Sequence, residues 1–153
     1  MSNLPEGLPG WIKDHIELYL TDPEKGHLWD SSAAGGTGML PTLLLITRGR
    51  RSGEEKMLPL IYKKVADAWV IIASKGGAPS HPAWYLNLVA DADCEIQVGT
   101  ESHSVRARTA GGSEREDLWG QLAEVYPPYI DYQKYAGDRE IPVVVLESRQ
   151  ASG

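Results

Sequence analysis

The chain has 153 residues and a mass of 16.8 kDa, enough to bury one sizeable hydrophobic core and too few to call for two domains of ordinary size. Its net charge of −6 argues against nucleic acid as a partner, and a single cysteine, Cys94, leaves no intramolecular disulfide and no cysteine-based metal knuckle. No basic segment followed by an apolar run opens the sequence and no stretch approaches the ~20 apolar residues of a membrane span, so the expected location is the cytoplasm.

Taken in chain order, Pro9 to Leu20 sets Trp11, Ile12, Ile16, Tyr19 and Leu20 on one face of a 3.6-residue period, with Lys13, Asp14 and Glu17 opposite. This predicts a short amphipathic helix. It can pack across a barrel, or touch an apolar substrate or the inner face of a membrane as a peripheral contact; the acidic residues on its polar face favour packing. Thr21 to Gly38 is dense in Gly, Ser, Asp and Pro and reads as a mobile connection, which beside a ligand site becomes a candidate flap. Residues 1–38 therefore form an N-terminal helix with a flexible connection, and residues 39–149 the main domain.

Leu40 to Thr47 is a near-continuous apolar run, suited to a strand covered on both faces. The turn composition of RGRRSG hands over to a second strand from about Met57 to Lys64, and Trp69 to Ala73 is a third. Ser74 to Pro82 holds a Gly pair and two prolines and cannot be regular structure. Pro82 suits the opening of a helix from Ala83 to about Ala90, so a glycine-rich loop leads directly into a helix N-terminus. Cys94 to Val98 and Glu101 to Ala110 are strands four and five. Ser113 and Glu116 have the spacing of a capping box, opening a helix whose buried stripe is Leu118, Trp119, Leu122, Val125 and Tyr126. Pro127-Pro128 ends it, Tyr126, Tyr129 and Tyr132 recur every three residues, and Ile141 to Leu146 is the last strand. About six strands with flanking helices and no βαβ alternation predict an α+β protein built on an antiparallel barrel.

Between Arg48 and Lys75 lie seven basic residues and three acidic ones, a cationic patch inside an acidic protein, which suits a compact polyanionic small molecule better than a long duplex. The chain has no Phe beside five Trp and seven Tyr, so its large rings nearly all carry a polar handle. No phosphate-loop lysine motif, GxGxxG, HExxH or GxSxG is present, and the four His are scattered singly, which removes support for serine, cysteine and metal hydrolases. Cations, hydroxyls, backbone amides and aromatics remain, a set that suits a planar cofactor with a phosphate-bearing tail.

Three blocks, TRGRRSG…PLIY, ASKGGAPSHPAWYLNL and VYPPYIDYQ…REIPVVVLE, resemble in their order the deazaflavin-dependent nitroreductase and quinone reductase family of split β-barrel proteins. The resemblance spans roughly Leu40 to Glu147. It implies a split barrel that binds reduced coenzyme F420, an 8-hydroxy-5-deazaflavin, and passes a hydride to a quinone, activated enone or nitroaromatic. It further implies that Arg50, Arg51, Ser52, Gly53 and Lys56 meet the anionic tail, and that Ser74, Lys75, Gly76, Gly77 and Ala78 lie beside the ring. Trp84 and Tyr85 would wall the pocket, with Trp84 also reaching the substrate. Tyr126, Tyr129 and Tyr132 would line the substrate side, and Ser74, Tyr129 and Tyr132 would carry the catalytic hydrogen bonds. Two other readings stay open: a carrier that holds a deazaflavin, flavin, haem or lipid without turnover, and an oxidase of the same superfamily using FMN. The expected partner is a small-molecule electron acceptor, and the expected state is a monomer.

Overall fold

Strand β2, Met39–Arg48, is the member of the sheet around which the others are laid, and its composition explains why. Leu40 and Thr42 to Leu45 are all buried, because β2 is paired along both edges and covered on both faces. The structure, a computed structural model, describes residues 10–32, 36 and 38–149. Trp11 contributes backbone only to that description, and residues 33–35 and 37 of the expected connection lie outside it.

Helix α1 (Gly10–Thr21) and a single helical turn α2 (Pro23–Gly26) lead to a short strand β1 (Leu28–Asp30). The remaining elements are β3 (Glu55–Ile61), β4 (Lys63–Val65), β5 (Ala68–Ile72), α3 (Ala83–Ala90), β6 (Asp93–Val98), β7 (Glu101–Thr109), α4 (Gly112–Val125), α5 (Pro128–Ala136) and β8 (Val143–Ser148). Every ladder is antiparallel, in the order β1-β2-β6-β7-β8-β5-β4, with β3 paired to β2 along the edge opposite β6. The second strand expected from the sequence is thus two. The run bends at Tyr62, leaving the edge of β2 for the edge of β5, and that crossing closes the sheet into a barrel. Among the described residues no ladder joins β3 to β5, so the barrel is split there. Pro59 falls in β3, which among the described residues pairs on one side only, where a missing N–H is tolerated.

The alternation of each strand divides the core in two. Leu43, Leu45, Ile71, Ile96, Val144 and Leu146 fill the barrel, where the thiol of Cys94 is also buried. On the outer face, α4 and α5 lay Leu118, Leu122, Tyr126 and Tyr129 over Val70, Ile72, Val143 and Val145. Helix α1 packs as expected through Ile16 and Tyr19 against Leu44, but Leu20 is half exposed.

Three further expectations are corrected. Part of the predicted connection is α2 and β1, because Asp22 caps α2 and β1 finds a ladder partner in β2. The capping box does not form: α4 starts at Gly112, whose φ of +59° breaks the extended chain, and Gly111 is the N-cap. Pro127-Pro128 ends α4 but also opens α5, since proline fits the first helical turn. None of the described helices is long and apolar enough to cross a membrane.

The tie that holds α1 to the barrel is the Tyr19 hydroxyl. It lies 2.9 Å from the Thr42 carbonyl and 3.0 Å from that of Gln97, and accepts from the Gly99 N–H at 2.8 Å. Burial pushes this phenol up to about 12. Tyr19→Phe leaves that buried polar cluster short of its centre, and urea unfolding is expected to report a loss of about 1–3 kcal/mol.

Candidate active site

Two adjoining cavities, of about 460 and 360 Å3, run along the split in the barrel. They share Leu58, Lys75, Pro82 and Trp84 as a common wall, so they form one elongated cleft with chemically different ends. Leu58 to Ile61 of β3 make one side of the second cavity and Ile72 of β5 the other, which is where the unpaired edges of the barrel face each other.

The first end is cationic. Arg50, Arg51 and Ser52, on the turn between β2 and β3, line it together with Lys56 at the start of β3. Arg50 is held from below: Asn87 of α3, itself buried, accepts from the Arg50 backbone N–H at 3.2 Å and from its Nη1 at 2.9 Å. Lys56 sits 3.6 Å from the Glu54 carboxylate, a loose exposed pair that leaves its ammonium available. Among the described residues Arg51 has no ion pair, and its guanidinium can close bidentate on phosphate or carboxylate oxygens.

The loop after β5 separates the two ends. Lys75, Gly76 and Gly77 form a 3-10 turn in which Lys75 has φ +49° and Gly77 φ +86°. Glycine is needed at 77 for space as well as conformation, since a Cβ there would lie 2.7 Å from the Tyr132 carbonyl oxygen of α5. Arg139, between α5 and β8, reaches into this loop. Its Nε donates to the Ala78 carbonyl at 2.9 Å, Nη1 to that of Ala73 at 3.1 Å and Nη2 to that of Ser74 at 2.7 Å, while Nη1 also meets His81 Nδ1 at 3.0 Å.

The second end carries hydroxyls on an apolar floor. Ser74, Tyr126, Tyr129 and Tyr132 line it, roofed by Ile12 and His15 of α1 and Trp29 of β1. The three tyrosine rings are mutual neighbours, with centroids 4.9 to 6.2 Å apart. The Tyr126 and Tyr132 hydroxyls are paired at 3.0 Å. Among the described residues the Tyr129 hydroxyl has no hydrogen-bond partner, although the residue is buried and burial pushes its phenol well above the ordinary range.

Of the residues singled out in the sequence, Arg50, Arg51, Ser52, Lys56, Ser74, Lys75, Trp84 and the three tyrosines all line the cleft. Gly53, Gly77, Ala78 and Tyr85 are not among the lining residues. Gly53 shapes the turn with φ +74°, Gly77 and Ala78 pack the loop onto its supports, and Tyr85 turns outward to Thr109 Oγ1 at 2.8 Å. Asn87, Arg139, His15 and Trp29 were not singled out. A lone Asn in a helix and a lone Arg in a loop carry no local pattern, and only contacts far apart in sequence reveal them.

The model of the F420H(2)-dependent quinone reductase family matches residues 23–148. The chain belongs to that family. An F420H(2)-dependent quinone reductase of Mycobacterium tuberculosis is 34% identical over 150 residues, which cover 91% of this chain and 97% of that one. A solved F420-H2 dependent reductase, FDR-A, superposes with a TM-score of 0.65 at 39% identity, covering 70% of this chain and 94% of its own. A second solved structure, described as a domain-swapped dimer, reaches 0.67 at 34% identity, covering 90% and 97%. As an F420H(2)-dependent quinone reductase family member the protein is an oxidoreductase whose coenzyme is F420, and the split barrel is that of its structural relatives.

The cleft fits such a coenzyme. A cationic end suits the anionic tail, an apolar slot beside Trp84 suits a planar ring, and the unpartnered Tyr129 hydroxyl leaves a donor facing the far end. Because Asn87 fixes the Arg50 fork, Asn87→Ala is expected to weaken F420 binding by about tenfold, equivalent to roughly 1.4 kcal/mol. Fluorescence titration checks this, with the unfolding midpoint measured in parallel to separate binding from stability.

Proposed function

We propose that this protein reduces a neutral, planar acceptor of the quinone type, with F420 in the cationic end of the cleft and the acceptor over the tyrosine end. The observation that carries the reading is the shared wall: Leu58, Lys75, Pro82 and Trp84 border both cavities, so what lies in one abuts what lies in the other. Arg50, Arg51, Ser52 and Lys56 bind the phosphate and carboxylate tail, which anchors the coenzyme by a part remote from the reaction. Activated enones and nitroaromatics share the electron-poor, planar character that the apolar slot accepts, and belong to the same reading.

Reduced F420, when bound, supplies a hydride from its deazaflavin ring. The protein's task is to hold an acceptor oxygen where negative charge develops. Ser74 Oγ and the Tyr129 hydroxyl are the donors for that oxygen. Burial makes Tyr129 a reluctant acid, so it stays protonated and acts by hydrogen bonding. The proton that completes the reduction comes through Tyr132, whose hydroxyl is paired with that of Tyr126 and whose side chain is less buried than Tyr129. Trp84, Trp29 and the aliphatic floor exclude water from the acceptor, which strengthens each of these hydrogen bonds. Within the N-terminal segment of residues 1–38, Ile12, His15 and Trp29 act as cover for the acceptor end, and residues 39–149 act as the coenzyme barrel.

A solved relative is described as a domain-swapped dimer, so light scattering tests whether this chain is the monomer that the sequence reading expects or a swapped dimer. Ser74→Ala and Tyr129→Phe should each lower kcat with menadione by about 10- to 100-fold while leaving F420 affinity nearly unchanged. Arg51→Ala and Lys56→Ala should do the reverse, weakening F420 binding by about tenfold each and flattening its salt dependence. Since the buried Tyr129 phenol does not ionise in the working range, the Tyr129→Phe deficit should be the same at pH 6 and pH 9. A deficit that shrinks as the pH rises would mean that the Tyr129 phenol ionises within this range.

A further inference from the structure

Arg139 has no part in the chemistry above, yet its guanidinium is spent on one segment of backbone. Three carbonyls, of Ala73, Ser74 and Ala78, accept from it, and His81 Nδ1 meets it at the end of the same segment. That segment carries Ser74 and Lys75 into the cleft. The residue is equally tied to α5. Its own N–H donates to the Ala136 carbonyl at 3.2 Å, and its carbonyl accepts from Gln133 Nε2 at 2.7 Å. Gln133 Oε1 in turn accepts from the Ile141 N–H at 2.9 Å. Helix α5 carries Tyr129 and Tyr132, and at Gly77 the loop touches it directly.

Lys75 at φ +49° is a conformation that a side-chain-bearing residue adopts only when its surroundings impose it. The planar fork of a guanidinium supplies five donors in fixed directions, which is what three carbonyls and a ring nitrogen converging from one loop require; an ammonium has three donors and no fork. His81 completes this set as an acceptor. With a permanent cation at 3.0 Å, its Nδ1 is the unprotonated nitrogen.

We propose that Arg139 is a positioning residue for the reduction: by bracing the Ala73–His81 loop against the end of α5, it sets the separation between Ser74 on one side of the acceptor and Tyr129 and Tyr132 on the other. This rests on the assignment of the acceptor to the tyrosine end. Misplacement of one donor by about 1 Å is enough to cost on the order of a hundredfold in rate, whereas the coenzyme tail is anchored on a different loop and is untouched.

The test uses the full chain with Arg139→Lys, Arg139→Ala and His81→Ala, measuring F420 affinity by fluorescence, kcat with menadione at saturating reduced F420, and amide hydrogen exchange. Arg139→Lys should lower kcat by about tenfold or more with F420 affinity within about threefold of the parent. The Gly77 and Ala78 amides, which donate to the Ser74 and Lys75 carbonyls at 2.9 and 3.1 Å, should exchange faster. Added guanidinium ion should restore part of the kcat of Arg139→Ala. If Arg139→Ala does not fold, Arg139→Lys and a smaller loss in His81→Ala decide the matter. An unchanged kcat in Arg139→Lys overturns the proposal, as does an equal loss of F420 affinity and kcat with no change in loop exchange. Were Ser74→Ala and Tyr129→Phe silent in the same assay, the acceptor assignment itself would fall, independently of how Arg139 behaves.

Discussion

The free edge of β3 is the constraint on which the rest of the molecule turns. A strand that pairs on both sides buries its backbone groups in ladders; a strand that pairs on one side leaves a row of them to be dealt with. Among the described residues β3 is laddered to β2 alone, Pro59 removes one of the exposed donors, and the chain bends at Tyr62 so that β4 can close the far edge of the sheet. The opening left between β3 and β5 is the cleft. The barrel therefore does not have a pocket added to it; the pocket is the place where its hydrogen bonding stops.

Everything that furnishes the cleft is supported from outside it. The turn that offers Arg50 and Arg51 rests on Asn87 of α3, the loop that offers Ser74 and Lys75 rests on Arg139, and the tyrosines rest on α4 and α5 packed over β5 and β8. The supports come from a helix, a connection and a helix pair, none of which belongs to the loop or turn that it holds. That division of labour lets a small domain place charged and apolar contacts a cavity apart with little freedom in either.

The parts of this arrangement that were legible in the sequence are those with a local signature. The apolar run of β2 and the proline-opened helix α3 are nearly as read, and the two arginine- and glycine-rich loops stand out by composition. The bend at Tyr62 was not legible, because Met57 to Lys64 is continuous as a pattern and the break depends on two edges that exist only in the sheet. Helix α5 was hidden by Pro127-Pro128, which reads as a stop and serves as a start as well. The tyrosine spacing has a period of three in the sequence, yet Tyr126 closes one helix while Tyr129 and Tyr132 belong to the next. Asn87 and Arg139 escaped altogether, since their partners lie 37 and about 60 residues away.

The burial of Cys94 has a chemical consequence of its own. Quinones and activated enones are electrophiles that arylate or alkylate thiolates, and a protein that gathers them beside a hydride source exposes its own nucleophiles to them at every encounter. Desolvation pushes the Cys94 thiol up to about 12 and the barrel wall keeps it from contact, so the sole sulfhydryl of the chain is present as an unreactive thiol. The chain can thus meet reactive acceptors repeatedly without being consumed by them.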